Sequence, residues 1–316
     1  MFKTEICELL GIEYPIIQGG MVWVGYADLC AAVSEAGGFG LLSSGSMTNE
    51  ELKEQITGVK QKTQKPFGVN IPLASPESDK LVQTSIEAGV TAIFTSAGSP
   101  KKFTPMIQEA GVKAVHVSPN AFLAEKAAKA GVDAVVVEGF EAGGHNGFEG
   151  ITTMALVPQA AARVNIPVIA AGGIADSRGF IAAMALGAQG VQMGTRFAAT
   201  YEAQGHPKFK EAIINADDIS TVITGNKIGP TRAIRNQLSE RILQAEGKGA
   251  SAEEIIQLIG PGRSRMATIE GDIEEGSVYC GQIAGAIADL KTAQQVILMI
   301  IEDSKILLQQ LGDRYL

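Results

Sequence analysis

Eight short apolar runs alternate with amphipathic segments between Pro15 and Met193, and this repetition constrains the fold more than any other feature. Such alternation implies parallel strands joined by right-handed helical crossovers. Eight units of roughly two dozen residues fit a closed (β/α)8 barrel better than an open doubly wound sheet. A Rossmann or flavodoxin-like sheet is the alternative, but Gly37, Gly38 and Gly40 precede a strand instead of following one. We predict an α/β protein with a TIM-barrel fold.

The predicted elements follow from apolar periodicity and from the glycines that end most helices. Strands are predicted at residues 15–20, 39–42, 66–71, 92–95, 113–117, 133–137, 167–171 and 190–193. Helices are predicted at residues 26–36, 49–63, 77–88, 101–110, 121–130, 155–164 and 178–186, with a last barrel helix at 292–311.

Residues 206–285 fall outside the repeat, are charged and have a predominantly helical pattern. We therefore predict a barrel made of residues 1–205 and 286–316, with a small, mostly helical insertion of residues 206–285 over the barrel mouth. Within it, residues 215–224 and 240–249 have the pattern of solvated helical or loop faces. The insertion would form one wall of a cleft for a bulky substrate, a dimerisation surface, or both.

Composition excludes several classes of function. The chain has 316 residues, a net charge of −8 and a pI near 5.1, which argues against a nucleic-acid or anionic-membrane partner. Cys7, Cys30 and Cys280 are too far apart for a disulfide framework or a structural zinc site. The acidic N-terminus and the lack of a long apolar run argue against a signal peptide and a membrane span. We expect a cytoplasmic protein without a metal site.

In a barrel, the active-site residues lie on the loops that follow the strands. The loop after the sixth predicted strand, residues 138–147, contains four glycines, two carboxylates and His145. Glycine lets the backbone approach a ligand closely, and imidazole is the side chain best suited to proton transfer near neutral pH. A flexible surface turn with a solvated histidine is the alternative interpretation.

The loops after the seventh and eighth strands predict a phosphate site. Barrels often bind phosphate between these two loops through backbone N–H groups. Gly172 and Gly173 lie on one loop, and Gly194 and Thr195 on the other. Relief of crowding in tight turns would also explain paired glycines. With the apolar residues Met21, Ile174 and Met193 nearby, flavin mononucleotide (FMN) and a sugar phosphate are both suitable ligands, and spacing alone does not choose between them.

Other candidates carry less weight. His116 ends a strand without a partner at metal-ligand spacing, which is typical of a hydrogen-bonded barrel histidine. Glu138 and Glu141 could act as a carboxylate pair on a glycoside, but glycosidases usually place the two carboxylates on separate strands. Cys280 could contact a flavin, although a small buried residue is the simpler interpretation. Trp23 suits the core or a cleft wall.

Seven motifs together resemble the nitronate monooxygenase superfamily, and within it the FMN-dependent enoyl-acyl carrier protein reductase II branch. They are Gln18-Gly-Gly-Met-Val-Trp23, Lys65-Pro-Phe-Gly-Val-Asn70, Glu138-Gly-Phe-Glu-Ala-Gly-Gly-His145, Ala170-Ala-Gly-Gly-Ile-Ala-Asp176, Gln192-Met-Gly-Thr-Arg-Phe197, Glu270-Gly-Asp-Ile-Glu-Glu-Gly-Ser277 and Gly281-Gln-Ile-Ala-Gly285. The resemblance covers nearly the whole chain, and His206-Pro207 also looks like a superfamily feature.

The resemblance implies FMN as cofactor and His145 as the catalytic residue. It places Gly20, Met21 and Asn70 along the flavin ring, and it assigns the phosphate to the two glycine loops already described. The full set of residues expected to bind the cofactor is Gly19, Gly20, Met21, Asn70, Glu138, Gly143, Gly144, Ala171, Gly172, Gly173, Met193, Gly194 and Thr195.

The activity implied is reduction of an enoyl-acyl carrier protein in fatty acid synthesis, with NADH or NADPH as reductant. His145 would donate a proton to the substrate α-carbon or stabilise the enolate oxygen. Nitronate monooxygenase and NAD(P)H:quinone reductase activities remain open on the same barrel, because one imidazole serves either chemistry. A sugar-phosphate isomerase or aldolase, or a non-catalytic binding protein, is the alternative of another class. The expected partners are a small-molecule or carrier-protein-bound substrate and a second copy of the chain in a homodimer.

Overall fold

A computed structural model describes residues 2–315, and its centre is a barrel of eight parallel strands. The strand order is β1-β9-β8-β6-β5-β4-β3-β2, and a parallel bridge between Ile17 and Phe39 joins the first and last strands of this order. The predicted TIM barrel is thus confirmed. The barrel strands are β1 Ile16–Gln18, β2 Gly40–Ser43, β3 Phe67–Pro72, β4 Ala92–Ser96, β5 Lys113–Ser118, β6 Ala134–Glu138, β8 Val168–Ala171 and β9 Gly190–Met193.

Helices alternate with these strands as the sequence pattern predicts. They are α1 Glu5–Leu10, α2 Ala27–Glu35, α3 Asn49–Lys62, α4 Ser78–Glu87, α5 Thr104–Glu109, α6 Ala121–Lys129, α7 Thr153–Ala161, α8 Ser177–Ala185, α9 Thr195–Ala198 and α14 Ala293–Tyr315. Short 3-10 helices lie at Ser44–Ser46, Pro100–Lys102 and Gln282–Ala286. The predicted helix at 101–110 is therefore divided in two, because Pro105 near the start of α5 has no N–H to continue the preceding turn.

The barrel core has two layers. Inside, side chains such as Leu41, Phe94 and Val136 form one cluster with the buried face of α1. Outside, alternate strand residues pack against the helices, which is why the strands are rich in Val and Ile on both faces. The last helix, α14, packs against α8 and α2 and completes the helical ring.

The insertion contains more than the helices expected from its sequence. Its helices are α10 Pro207–Ile214, α11 Gln237–Gly247, α12 Ala252–Ile259 and the single turn α13 Arg263–Arg265, followed by a π-helix at Met266–Glu270. It also contains the hairpin strands β10 Thr221–Thr224 and β11 Thr231–Ile234. Residues 215–220 form a largely exposed loop, as expected, but the same interpretation was wrong for residues 221–224, because β10 has an alternating pattern with Val222 buried.

The hairpin extends into the barrel loops. Strand β11 pairs antiparallel with β7, the two-residue strand Gly144–His145 in the loop after β6. Other links join Trp23 Nε1 to Ser264 Oγ, at 3.3 Å, and the Gly281 amide to Thr195 Oγ1, at 2.9 Å. The insertion thus lies against the C-terminal ends of the barrel strands. No helix in the described range is long and apolar enough to cross a membrane.

Candidate active site

A layer of polar side chains crosses the C-terminal end of the barrel. Strand register places Ser43 beside Asn70 on β2 and β3. It also aligns Glu138, Ala171 and Gln192 across β6, β8 and β9. These residues continue the inward-facing alternation of the apolar interior. Polar groups therefore face the mouth above a closed apolar core.

Both glycine loops predicted to bind phosphate lie at this end. Gly172 and Gly173 have φ of 89° and 74°, the left-handed region that favours glycine. Gly194 follows β9 directly, and Thr195 begins α9. Within residues 2–315, no protein acceptor takes the N–H groups of Gly172, Gly173, Gly194 or Thr195. These amides are available to an anion, whereas the start of α8 is already capped by the Asp176 carboxylate.

The loop after β1 meets these residues from the opposite side. The Gly19 amide donates to the Met193 carbonyl at 2.8 Å. A Cβ on Gly20 would collide with the Asn70 side chain, and one on Gly194 would lie 3.6 Å from Met21 Sδ. Gly19, Gly20, Met21, Asn70 and the residues after β9 are therefore neighbours, as their assignment to one cofactor requires.

Glu141, within the loop after β6, attaches this loop to the start of α7. Both Glu141 oxygens accept hydrogen bonds from the Thr153 amide, at 2.9 and 3.1 Å, and the Thr153 hydroxyl lies 3.1 Å from one of them. The same hydroxyl is 2.8 Å from the Gly172 carbonyl. Thr153 thus ties the His145 loop to the first glycine loop, and Glu141 acts as the cap of α7, not as half of a glycosidase pair.

The insertion contacts the loop after β6 through residues 280–282. A Cβ on Gly143 would lie 2.5 Å from the carbonyl carbon of Cys280, so only glycine lets the two backbones meet. The Gln282 amide donates to the Glu141 carbonyl at 2.9 Å. Cys280 itself is buried, and burial raises the pKa of its thiol to about 12.

His145 lies on the β7 strand, paired with Thr231 of β11. Its side chain is open to solvent on one side, and on the other the Tyr279 ring approaches edge-on with centroids 6.0 Å apart. The protein atoms around the imidazole remove part of its hydration, which lowers its pKa below the usual value of 6.5. The imidazole is therefore neutral near pH 7, with one nitrogen as donor and one as acceptor.

Glu138 is the last residue of β6 and lies at the C-terminal end of the barrel. Loss of hydration raises the pKa of its carboxyl to about 7, and no side-chain partner compensates within the described residues. A carboxyl poised near neutrality at the mouth of a barrel is typical of a functional position.

Several residues of the site were not predicted from the sequence. Tyr279 and Arg232 come from the insertion, and Thr153 from the start of α7. Ser43 has a buried hydroxyl without a protein partner in residues 2–315, directly beside Asn70. The only available signal was position, since Ser43 directly follows the strand predicted at residues 39–42. The other three depend on how distant segments pack.

The other candidate residues lie elsewhere. His116 is buried with its Nδ1 2.7 Å from Thr95 Oγ1, as expected for a hydrogen-bonded barrel histidine, and burial lowers its pKa to about 4. His206 caps α10 by accepting from the Lys208 amide, with Pro207 in the first turn. The described residues contain no cluster of three or more potential metal ligands.

The donor set fits FMN. Four unpaired backbone amides on two adjacent loops suit a terminal phosphate. Gly19, Gly20 and Gly194 bring the backbones of two loops close together beside Met21, and Asn70 and Ser43 add polar groups at the same place, as a flavin ring requires. A sugar phosphate would use the first feature but not the second.

Comparisons with known proteins agree with this geometry. The family model described as nitronate monooxygenase matches residues 3–303. The (3aS,4S,5R,7aS)-5-hydroxy-7a-methyl-1-oxo-octahydro-1H-indene-4-carboxyl-CoA dehydrogenase of Mycobacterium tuberculosis is 33% identical, with 96% of each chain covered. A probable nitronate monooxygenase of Staphylococcus aureus is 33% identical, with 89% of this chain and 91% of the relative covered. The structure of FabK from Thermotoga maritima is 44% identical, covers 99% of both chains and has a TM-score of 0.95.

These relatives include FMN-dependent oxidoreductases, and the present chain is an oxidoreductase as well. FMN is the cofactor that the family generally uses. Since the family model spans almost the whole sequence, the chain belongs to the nitronate monooxygenase family.

Proposed function

We propose that the protein is an FMN-dependent enoyl-acyl carrier protein reductase that uses NADH or NADPH in fatty acid synthesis. The observation that carries this proposal is the 44% identity to FabK, an enoyl-acyl carrier protein reductase II, over 99% of both chains. The Mycobacterium tuberculosis relative is named for a coenzyme A thioester, which also favours a thioester substrate.

In this proposal the barrel loops hold the cofactor. The amides of Gly172, Gly173, Gly194 and Thr195 bind the phosphate, and Gly20, Met21 and Asn70 lie along the ring. Bound FMN supplies two-electron transfer between the nicotinamide and the enoyl thioester. The protein then has two tasks: to orient the thioester, and to stabilise the negative charge that develops on its carbonyl oxygen until the α-carbon takes up a proton from the imidazole or from solvent.

His145 performs the second task. As a neutral imidazole it donates its N–H to the thioester carbonyl oxygen as the enolate forms. Tyr279 and the β10–β11 hairpin form the wall beside it, which suits an acyl chain carried on a bulky partner. We include in the proposal acyl carrier protein as donor of the substrate, a homodimer and a cytoplasmic location.

A comparison of three acceptors tests the proposal. Purified protein is expected to be yellow and to oxidise NADH or NADPH rapidly with crotonyl thioester. Oxygen uptake with alkyl nitronates and turnover with quinones should both be slow. A colourless, flavin-free protein, or turnover with nitronates alone, would contradict the reductase assignment.

Nitronate monooxygenase activity is the second candidate. The family model and the Staphylococcus aureus relative favour it. The same neutral imidazole would then act as a base towards a nitroalkane, or donate a hydrogen bond to an anionic nitronate. Oxygen uptake that depends on nitronate and not on NAD(P)H would establish this candidate over the first.

A further inference from the structure

Arg232 occupies an unusual environment for a cation. Its side chain is 5% exposed, and no carboxylate among residues 2–315 forms an ion pair with it. The negative charge of Glu141 acts on the guanidinium, but the carboxylate oxygens of Glu141 already accept hydrogen bonds from Thr153. Burying a charge without a paired carboxylate is costly. The hydrogen bonds of the guanidinium must therefore offset its lost hydration.

Those hydrogen bonds converge on the loop that carries His145. Nε and Nη2 of Arg232 donate to the Phe140 carbonyl at 3.2 and 2.9 Å, and Nη1 donates to Thr221 Oγ1 at 3.1 Å. The guanidinium carbon also lies 5.5 Å from the centroid of the Phe140 ring, within the range of a cation–π contact. The side chain therefore holds the start of the loop.

The backbone of the same residue holds the end of the loop. Arg232 pairs with Gly144, and Thr231 pairs with His145, in the β11–β7 ladder. The Asn146 amide adds a bond to the Pro230 carbonyl at 2.8 Å. One residue of the insertion thus fixes both ends of the segment from Phe140 to His145.

We propose that Arg232 is the positioning residue for His145, because it anchors both ends of the loop and so sets where the imidazole stands over the barrel mouth. We expect its effect to pass mainly through His145, because its contacts lie on β10 and on the loop after β6 and none reaches the two glycine loops. The kinetic part of this inference rests on the proposed reductase function, whereas the structural part does not.

The first test measures loop order directly. In flavin-loaded protein, Arg232→Met should increase amide hydrogen exchange in residues 139–147 by about 10-fold or more, with the β3–β5 strands unchanged. Arg232→Lys, which keeps the charge and one donor, should give a smaller increase. Arg235→Met is the matched control, because Arg235 lies on the same segment but pairs with Glu240 at the surface. Unchanged exchange in the loop, or an equal increase throughout the barrel, would overturn the proposal.

The second test asks whether Arg232 acts through His145. In single-turnover reoxidation of reduced enzyme by crotonyl thioester, Arg232→Met should lower the rate by about 10–100-fold. In a His145→Ala background the same substitution should cost less than about 3-fold. Flavin reduction by NAD(P)H should stay within about 2-fold. Equal losses in both backgrounds would mean a purely structural role.

The two proposals fail in different ways. If wild-type protein does not reduce crotonyl thioester, the reductase assignment falls, and hydrogen exchange alone decides the role of Arg232. If wild-type protein reduces it and loop exchange is insensitive to Arg232, the positioning role falls and the reductase assignment stands. If Arg232→Met does not fold, Arg232→Lys carries both measurements.

Discussion

The imidazole of His145 combines solvent access on one side with a lowered pKa. We expect His145→Ala to retain FMN but to lose about 10²–10⁴-fold in turnover, because the phosphate and ring contacts lie mostly on other loops and the substitution keeps the backbone at Gly143 and Gly144. The absorbance spectrum reports flavin content, and steady-state assays report turnover. His206→Asn is the control, since asparagine keeps the helix-capping acceptor. Unchanged turnover in His145→Ala would remove the imidazole from the mechanism.

Glu138 gives a prediction about pH and stability. Its pKa is about 7 in the folded protein and near 4.5 in the unfolded chain, so folding binds a proton and stability falls as pH rises from about 4.5 to 7. Above pH 7 the resulting loss of stability is about 3 kcal/mol. Glu138→Gln should therefore raise the melting temperature at pH 8 and change it little at pH 4.5.

Thermal unfolding at the two pH values measures this difference. The exposed Glu109, replaced by Gln, is the matched control. A stabilisation by Glu138→Gln that is equal at both pH values would show that the carboxyl does not titrate in this range.

At the scale of elements, Thr153 connects two loops through one hydroxyl. Thr153→Val removes the hydrogen bonds of the hydroxyl to Glu141 and to the Gly172 carbonyl, but keeps the shape of the side chain and the backbone amide bonds to Glu141. We expect a loss of about 1–2 kcal/mol in stability and an FMN dissociation constant about 10-fold higher, because the first glycine loop loses its anchor. Flavin fluorescence titration measures the affinity.

The neighbouring threonine provides the control for this prediction. Thr152 precedes α7, is exposed, and makes no side-chain cap. Thr152→Val should leave FMN affinity unchanged. Equal affinities for the two variants would show that the link between loops does not matter for the cofactor.

Much of the element order could be predicted from the sequence, because local signals specify it. The barrel strands are apolar on both faces, and glycines end most helices. The alternation of strands and helices, together with the length of each unit, therefore predicts eight parallel strands. The β10–β11 hairpin could not be predicted in this way. Its strands are four residues each, and the partner β7 is two residues long and distant in sequence.

Some residues of the candidate site could be predicted from the sequence, and others could not. The glycine loops and His145 directly follow predicted strands, so the barrel topology brings them to one end. Arg232 and Tyr279 belong to the insertion, and only its tertiary packing places them beside the His145 loop. Local pattern carries no information about that packing, which explains why both were missed.

At the scale of the whole molecule, Gly143 is a point of close approach between the barrel and the insertion. A side chain there would lie 2.5 Å from the Cys280 carbonyl carbon, so Gly143→Ala must move one backbone. We expect it to lower stability by about 2–3 kcal/mol and to reduce turnover. Denaturant unfolding and steady-state assays measure the two effects.

The adjacent glycine separates steric conflict from backbone strain. Gly144 has φ of 78°, and nothing lies within 4 Å of a Cβ built on it. Gly144→Ala should therefore cost about 1 kcal/mol, from the left-handed conformation alone. If Gly144→Ala destabilises the protein as much as Gly143→Ala does, close approach of the insertion is not the reason for glycine at 143.

Because β7 pairs with β11, the position of His145 depends on the insertion, whereas the glycine loops belong to the barrel. In the proposed reductase, the phosphate and ring of the cofactor are assigned to turns that follow barrel strands, whereas His145 lies on a short strand that pairs with the insertion. A change in the β10–β11 hairpin would thus alter the position of His145 without altering the two glycine loops. Exchanging residues 206–285 between relatives is accordingly the natural way to transplant substrate preference.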